Sequence, residues 1–476
     1  MPTNPRICKT LLLSMVLMPF SVRAEEPPNA KLSIGFASVD ITPRLGTPMA
    51  GYYSPRGAEG VHDPLLAKAM VLHDGETKLA LVSLDLIKTT DQFVKQAREL
   101  ISTQTGIPPD HVMIGATHSH TGPIIISESA REDDFGGKST QAQEYIERLP
   151  SWIAEAVKEA DKQLRPIEVS MTTGRCEGVA FNRRFHLRNG TVGWNPGKLN
   201  PLIVRPAGPV DEDLPIMLFT GADGKREAAM VNYSIHLDTV GGTDFSADIP
   251  GHLSRMVADA VHPDFFTLYF TACCGDVNHI DVSRGGSQKG HAEATRIGTR
   301  LAAATLQSMD DAKPVASIRL ASASRVVPLR SFAVTEADIV AAREILERQR
   351  AGSKPAPTFR EIVAAYRAID VEHRGDKPWD AEVQVFAIGN QAAIVSLPGE
   401  IFVEIGVSIR QGSPFPLTAV AELANGSLGY IPNRVAYPQG EYEVISARVA
   451  EGSGEQLVDA ALDILKALYR EEAARP

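Results

Sequence analysis

The sequence predicts an α/β protein, with mixed sheets covered by helices and a metal site at strand ends and loops. Apolar runs rich in β-branched or aromatic residues recur at 80–87, 112–116, 229–233, 267–272 and 383–388, several with the near-continuous hydrophobicity of strands buried on both faces. Helical patterns with an apolar stripe alternate with them. The third observation is the pair His118 and His120, one residue apart just beyond the run at 112–116, because α/β proteins place their sites at strand ends.

From the N-terminus, Arg6 and Lys9 precede an apolar run over residues 11–20, and Val22-Arg23-Ala24 offers small residues where a signal peptidase cuts. Residues 1–24 read as a cleaved secretory signal, which places the protein outside the cytoplasm, secreted or periplasmic. The other reading is an uncleaved anchor, but the run falls short of the roughly 20 apolar residues that span a bilayer. No later stretch is long and apolar enough to span one. Residues 25–31 read as a linker, and one catalytic domain is expected over 32–476.

Cleavage removes Arg6, Lys9 and Arg23 and no acid, so the formal charge moves from −10 to −13. Such an acidic chain is not a nucleic-acid binder. Anionic lipid surfaces repel it too, so a lipid or small-molecule substrate is met through local apolar contacts. Cys176, Cys273 and Cys274 remain in the mature chain. Three cysteines make no disulfide framework; burial as small apolar side chains is expected, with a bridge from Cys176 to one of the adjacent pair as the alternative.

Further along, Gly389-Asn390 between two apolar runs predicts a hairpin turn. Thr335 ahead of Glu336 and Asp338 predicts a helix start, and residues 455–470 form another helix with Leu457, Ala461, Leu465 and Leu468 on one side. The charged, helical segment 334–379, interrupted by the Gly/Pro loop at 351–357, reads as an insertion covering the sheet.

Side chains at i and i+2 of a strand share a face, so His118 and His120 are expected to leave the sheet together, toward a metal ion. The alternative is a pair of ordinary polar residues in a loop. His236 follows the run at 229–233, and Glu400 follows the strand and Pro-Gly turn Val395-Ser396-Leu397-Pro398-Gly399. His236 also reads as a structural histidine and Glu400 as a helix N-terminal acid. Two imidazoles and a carboxylate are a ligand set of catalytic zinc. Asp85, Asp248 and Asp276, all at predicted strand ends, either orient a ligand histidine or cap turns.

Several stretches resemble the N-terminal catalytic region of the neutral/alkaline, non-lysosomal ceramidase family. They are Val39-Asp40-Ile41-Thr42-Pro43 with Met49-Ala50-Gly51-Tyr52, Val61-His62-Asp63-Pro64, Val82-Ser83-Leu84-Asp85-Leu86, Thr117-His118-Ser119-His120-Thr121-Gly122-Pro123, Asn182-Arg183, Gly275-Asp276-Val277 and Pro398-Gly399-Glu400. The resemblance implies one zinc ion per chain, held by His118, His236, Glu400 and Tyr430, and hydrolysis of the amide of an N-acyl sphingosine. It implies that His120 carries a proton or stabilises an oxyanion, that Tyr442 donates to that oxyanion and that Arg183 adds positive charge. The choice of Tyr430 and Tyr442 follows the family pattern Gly429-Tyr430-Ile431-Pro432 with Tyr442-Glu443 downstream.

Two departures stand out. Asn278 occupies the position of the family's nucleophilic serine, and an amide cannot replace a hydroxyl, so a zinc-activated water is the expected nucleophile. The chain also ends soon after the catalytic region, without the immunoglobulin-like C-terminal domain of full ceramidases. The expectation is a secreted zinc hydrolase that cleaves a linear amide of a ceramide-like N-acyl lipid, or a related acyl bond. The alternatives are a catalytically silent binding protein and a metal-dependent esterase or phosphoesterase.

Overall fold

Two sheets packed face to face, each with helices on its outer side, give four layers: helices, sheet, sheet, helices. The computed structural model describes residues 1–2, 32–127 and 129–475. The predicted signal and linker therefore lie almost wholly outside the described residues. Lys31–Pro476 is one compact unit; of the other, Met1–Ala30, only the first two residues are described.

The larger sheet has nine strands. Along its path run Phe266–Thr271, Arg226–Tyr233, Asp213–Gly221, Arg165–Arg175, Ser33–Asp40, Leu66–His73, Lys78–Leu84 and Val112–Ala116, and Lys313–Pro314 pairs on Arg165–Arg175. Pairing is antiparallel in the middle and parallel at both ends, Arg226–Tyr233 with Phe266–Thr271 and Lys78–Leu84 with Val112–Ala116. The second sheet runs Leu320–Leu329, Trp379–Ile388, Ala392–Ser396 and Leu417–Ala421, its last pair parallel.

Burial on both faces explains the unbroken apolar runs. Met113, Met230 and Phe270 of the large sheet meet Phe386, Ile394 and Ala419 of the small one. On the far side of the large sheet, the helices Asp91–Thr105 and Thr140–Lys162 cover one half, and Asp248–Val261 and His291–Met309 the other. Val403–Gly412 and Ser453–Ala473 cover Val383, Val395 and Val420 of the small sheet.

The large sheet coils until its two end strands meet. Ser83 Oγ donates to the Tyr269 carbonyl at 2.5 Å and Thr271 Oγ1 to the Thr117 carbonyl at 2.6 Å. Gly115 permits the approach, since a Cβ there would stand 3.0 Å from the Phe270 ring. This closure brings the C-terminal ends of both parallel pairs to one place.

The turn at Gly389 has φ 54°, and Thr335 and Asp338 form a reciprocal capping box. The strand predicted over 80–87 ends at Leu84. Segment 334–379 departs from expectation in what it covers. Its helices, Glu336–Arg350 and Phe359–Arg374, pack on each other and on Ile124, Phe135 and Tyr53 from the strand-end loops, not on a sheet face.

Candidate metal centre and adjoining cleft

His118 and His120 lie beyond the end of Val112–Ala116, where Thr117 N bonds the Leu84 carbonyl and His118 N the Leu86 carbonyl. His118 has φ 77°, a left-handed conformation that costs a non-glycine residue about 1–2 kcal/mol. Strand alternation therefore does not align the two rings, contrary to the sequence expectation; a strained turn does. His236 follows Arg226–Tyr233, its N–H on the Val277 carbonyl at 3.3 Å. Glu400 and Tyr430 stand opposite each other in a two-residue parallel ladder, Glu400–Ile401 with Tyr430–Ile431.

These elements bring three imidazoles together. The Nε2 atoms of His118 and His236 are 3.0 Å apart, those of His120 and His236 3.1 Å, and those of His120 and His118 3.4 Å. Glu400 Oε2 is 3.5 Å from His118 Nε2. His118 Nδ1 faces the Ile87 carbonyl at 2.7 Å and His120 Nδ1 the Gly51 carbonyl at 3.0 Å. A carbonyl accepts only, so each Nδ1 carries the proton and each Nε2 turns a lone pair inward. Inward lone pairs beside a carboxylate repel one another unless a cation lies among them, and such donors suit zinc. The residues present thus fit a metal ion.

The electrostatics agree. Burial and the neighbouring His118 push His120 down to about 3, and burial with the charges of His118 and Arg183 holds His236 well below the usual histidine range. Burial works against a charged Glu400, but His118 beside it, itself raised by that carboxylate against its own burial, together with the Tyr430 hydrogen bond and the charge of Arg183, outweighs it and holds the carboxyl at about 2. Near neutral pH the site thus offers two neutral imidazoles and a carboxylate.

Arg183 is buried and fully engaged. Its Nε donates to Glu443 Oε1 at 2.8 Å, and its Nη2 to the Gly275 carbonyl at 2.6 Å and to the Tyr430 hydroxyl at 3.0 Å. Glu443 also accepts from Arg184 Nη1 at 2.8 Å. The Tyr442 ring lies 5.3 Å from that of Tyr430 and tilts against Trp194 at 4.6 Å. Beyond Glu400 and these tyrosines opens a narrow cleft of about 60 Å³.

The structure also decides the roles left open for the aspartates. Asp85 accepts from Leu66 N, Asp248 from Val240 N and Ile249 N, and Asp276 from Val403 N and the Asn182 amide. Asp85 and Asp276 thus tie distant segments together and Asp248 holds its own loop, and backbone carbonyls orient His118 and His120. Asn278 is buried, its amide donating to Asn195 Oδ1 at 3.2 Å and its oxygen accepting from Ile280 N at 3.0 Å. Glu443 went unnoticed in the sequence, where an acid beside Tyr442 carries no mark of its partners. Cys176, Cys273 and Cys274 are free and buried.

Comparisons with known proteins come to the same place. Residues 32–239 match the family described as neutral/alkaline non-lysosomal ceramidase, N-terminal. A neutral ceramidase of Pseudomonas aeruginosa is 26% identical over 48% of this chain, and neutral ceramidase A of Dictyostelium discoideum 24% identical over 54%. The matches span 33% and 36% of those relatives' own lengths, about a third. The solved structure of the neutral ceramidase from Pseudomonas aeruginosa superposes with a TM-score of 0.72 at 19% identity, covering 93% of this chain and 75% of that one. A ceramidase solved in complex with C2 gives 0.70 at 19% identity, covering 92% and 76%. At that identity the likeness shows a shared fold.

Proposed function

We propose that the chain, whose residues 32–239 match the neutral/alkaline non-lysosomal ceramidase family, is a secreted zinc-dependent hydrolase of linear amides in N-acyl lipids resembling ceramide. The observation that carries the reading is the convergence of three Nε2 atoms, two with lone pairs fixed inward, beside the Glu400 carboxylate. His118, His236, Glu400 and Tyr430 would hold the ion. Zinc bound there supplies a Lewis acid, able to polarise an acyl carbonyl and lower the pKa of water to about 7.

The chain's own groups do the rest. His120, the most exposed of the three imidazoles, would carry a proton for the reaction beside the metal. Arg183, held by Glu443 and the Gly275 carbonyl, keeps a fixed positive charge on Tyr430, while the Tyr442 hydroxyl donates to charge developing on the acyl oxygen. Asn278 provides no nucleophile, so water attacks. Secretion rests on the signal-like residues 1–24; among the described residues no helix is long and apolar enough to cross a membrane.

The test is metal content by mass spectrometry together with turnover of N-acyl sphingosine and simpler N-acyl amides, each compared with His118→Ala. One zinc per chain and activity lost with His118 are expected. Equal background from both proteins would leave a binding protein, as Asn278 at the serine position allows.

A further inference from the structure

The cleft beyond Glu400 is cationic although the chain as a whole is acidic, with a formal net charge of −10. Lys88, Arg131, Arg367 and Arg448 line it, against Asp370 and Glu400 in the same lining and Glu132 beside Lys88 and Arg131, and Glu400 is turned to the metal centre. Glu132 accepts from Lys88 at 2.9 Å and Asp370 lies 2.6 Å from Arg448. Arg131 is held loosely: its nearest contacts, Glu132 Oε1 and the Tyr53 hydroxyl, are both at 3.4 Å, and its guanidinium rests 5.2 Å from the Tyr53 ring. Arg367 Nε is buried with no hydrogen-bond partner among the described residues. Grouped guanidinium groups facing a cleft without enough carboxylates leave room for an incoming anion, which they bind by paired, charge-assisted hydrogen bonds.

On the other side of Tyr442 lies a chamber of opposite character. About 280 Å³ in volume, it is walled by Trp194, Phe359, Val363 and Ile445, and it shares Tyr442 and Val363 with the cationic cleft. The Phe359 ring stacks on Trp194 at 5.8 Å and on Tyr442 at 5.6 Å. An apolar chamber and a cationic cleft meeting at one tyrosine fit an amphiphile with an acyl chain at one end and an anion at the other. The sphingoid amine of a ceramide has no such anion.

We propose that the substrate is an N-acyl compound whose amine portion carries a carboxylate, the carboxylate bound by Arg131 in the cleft and the acyl chain lodged against Trp194 and Phe359. This rests on the hydrolase reading above and names its substrate class. The segment 334–379 is then a specificity element, since its helices bring Phe359, Val363 and Arg367 to the two chambers.

The probes are N-dodecanoylglycine and its neutral counterpart N-dodecanoylglycinamide, with the zinc-loaded full chain. In the wild type, kcat/KM for the acid should exceed that for the amide at least tenfold. Arg131→Gln should cut that ratio about tenfold, and Arg131→Lys, which keeps the charge but loses the paired donors, should recover part of it, which a merely structural role for Arg131 would not produce. Calorimetric binding of both probes is measured in parallel, so that the inference is decided even without turnover: tighter binding of the acid, lost in Arg131→Gln, supports it. Equal turnover or equal affinity for the two probes, or a ratio unmoved by Arg131→Gln, overturns it. Cleavage without charge preference sinks this inference alone, whereas charge-selective binding without cleavage of any amide sinks the hydrolase reading and leaves the carboxylate subsite as a binding site.

Discussion

Nη2 of Arg183 lies 3.0 Å from the Tyr430 hydroxyl, and the same guanidinium is locked from behind by Glu443. Glu443 is fully buried and binds Arg184 as well, so one carboxylate balances two buried cations. Glu443→Gln leaves those cations short of a counter-charge, and removing one partner of a buried pair costs about 3–5 kcal/mol. The expected outcome is an unfolding free energy lowered by that amount, read as a lower denaturant midpoint at unchanged m, with kcat falling because Arg183 no longer holds Tyr430. An unchanged midpoint would show that the pair carries no such burden.

His118→Ala removes the imidazole nearest both His236 and Glu400. Zinc content should drop well below one per chain. A ligand that binds only the native state at 100 times its Kd stabilises by about 2.7 kcal/mol, so chelation should lower the wild-type melting temperature and leave that of the variant nearly unmoved. Equal chelator shifts in both proteins would place the metal elsewhere.

Asn278 hydrogen-bonds to Asn195 and to the Ile280 backbone and offers no nucleophilic atom. With water as the attacking group, Asn278→Ala should keep kcat within about tenfold of the wild type, since one neutral hydrogen bond is worth about 0.5–1.5 kcal/mol. Rapid mixing should show no burst of product in either protein. A burst, or a loss as large as that of His118→Ala, would assign Asn278 to the chemistry.

Glu422 sits wholly buried, accepting from Cys274 Sγ at 2.9 Å and from Ile401 N at 2.6 Å. Burial, the largest influence, pushes its carboxyl up to about 8. The unfolded chain titrates it near about 4.3, so between those values the folded protein binds the extra proton. Its contribution is intact below the lower value and is lost as pH rises toward the upper one, by up to about 1.4 kcal/mol for each pH unit. Glu422→Gln should flatten this fall and stabilise the protein at pH 8 relative to the wild type. A wild-type unfolding free energy that rises between pH 5 and 8 and is unaltered by the substitution would refute the assignment.

The layers were legible because they follow from local rules. Runs such as Met113-Ile114 and Val395-Ser396 have apolar or small residues on both sides and signal strands buried on both faces, and Thr335 with Asp338 signals a helix start through side-chain to backbone bonds three residues apart. His118, His236 and Glu400 stood out for the same reason, each just past an apolar run. Their neighbours did not stand out. Nothing near Gly51 or Ile87 marks their carbonyls as the acceptors that set the imidazole tautomers, and nothing beside Tyr442 marks Glu443 as the partner of two arginines.

The pattern of apolar and polar residues by itself determined the class of fold and the strand ends at which chemistry-bearing side chains stand, since periodicity and burial act over a few residues. Only the tertiary structure decided that the large sheet coils until Thr271 reaches Thr117, that a left-handed turn at His118 rather than strand alternation aims its ring, and that Arg131 and Phe359 face chambers on either side of Tyr442. Those relationships depend on contacts between separate segments of the chain, Thr271 and Thr117 lying 154 positions apart. They are set by sheet twist and by packing between layers, which no local stretch of sequence encodes.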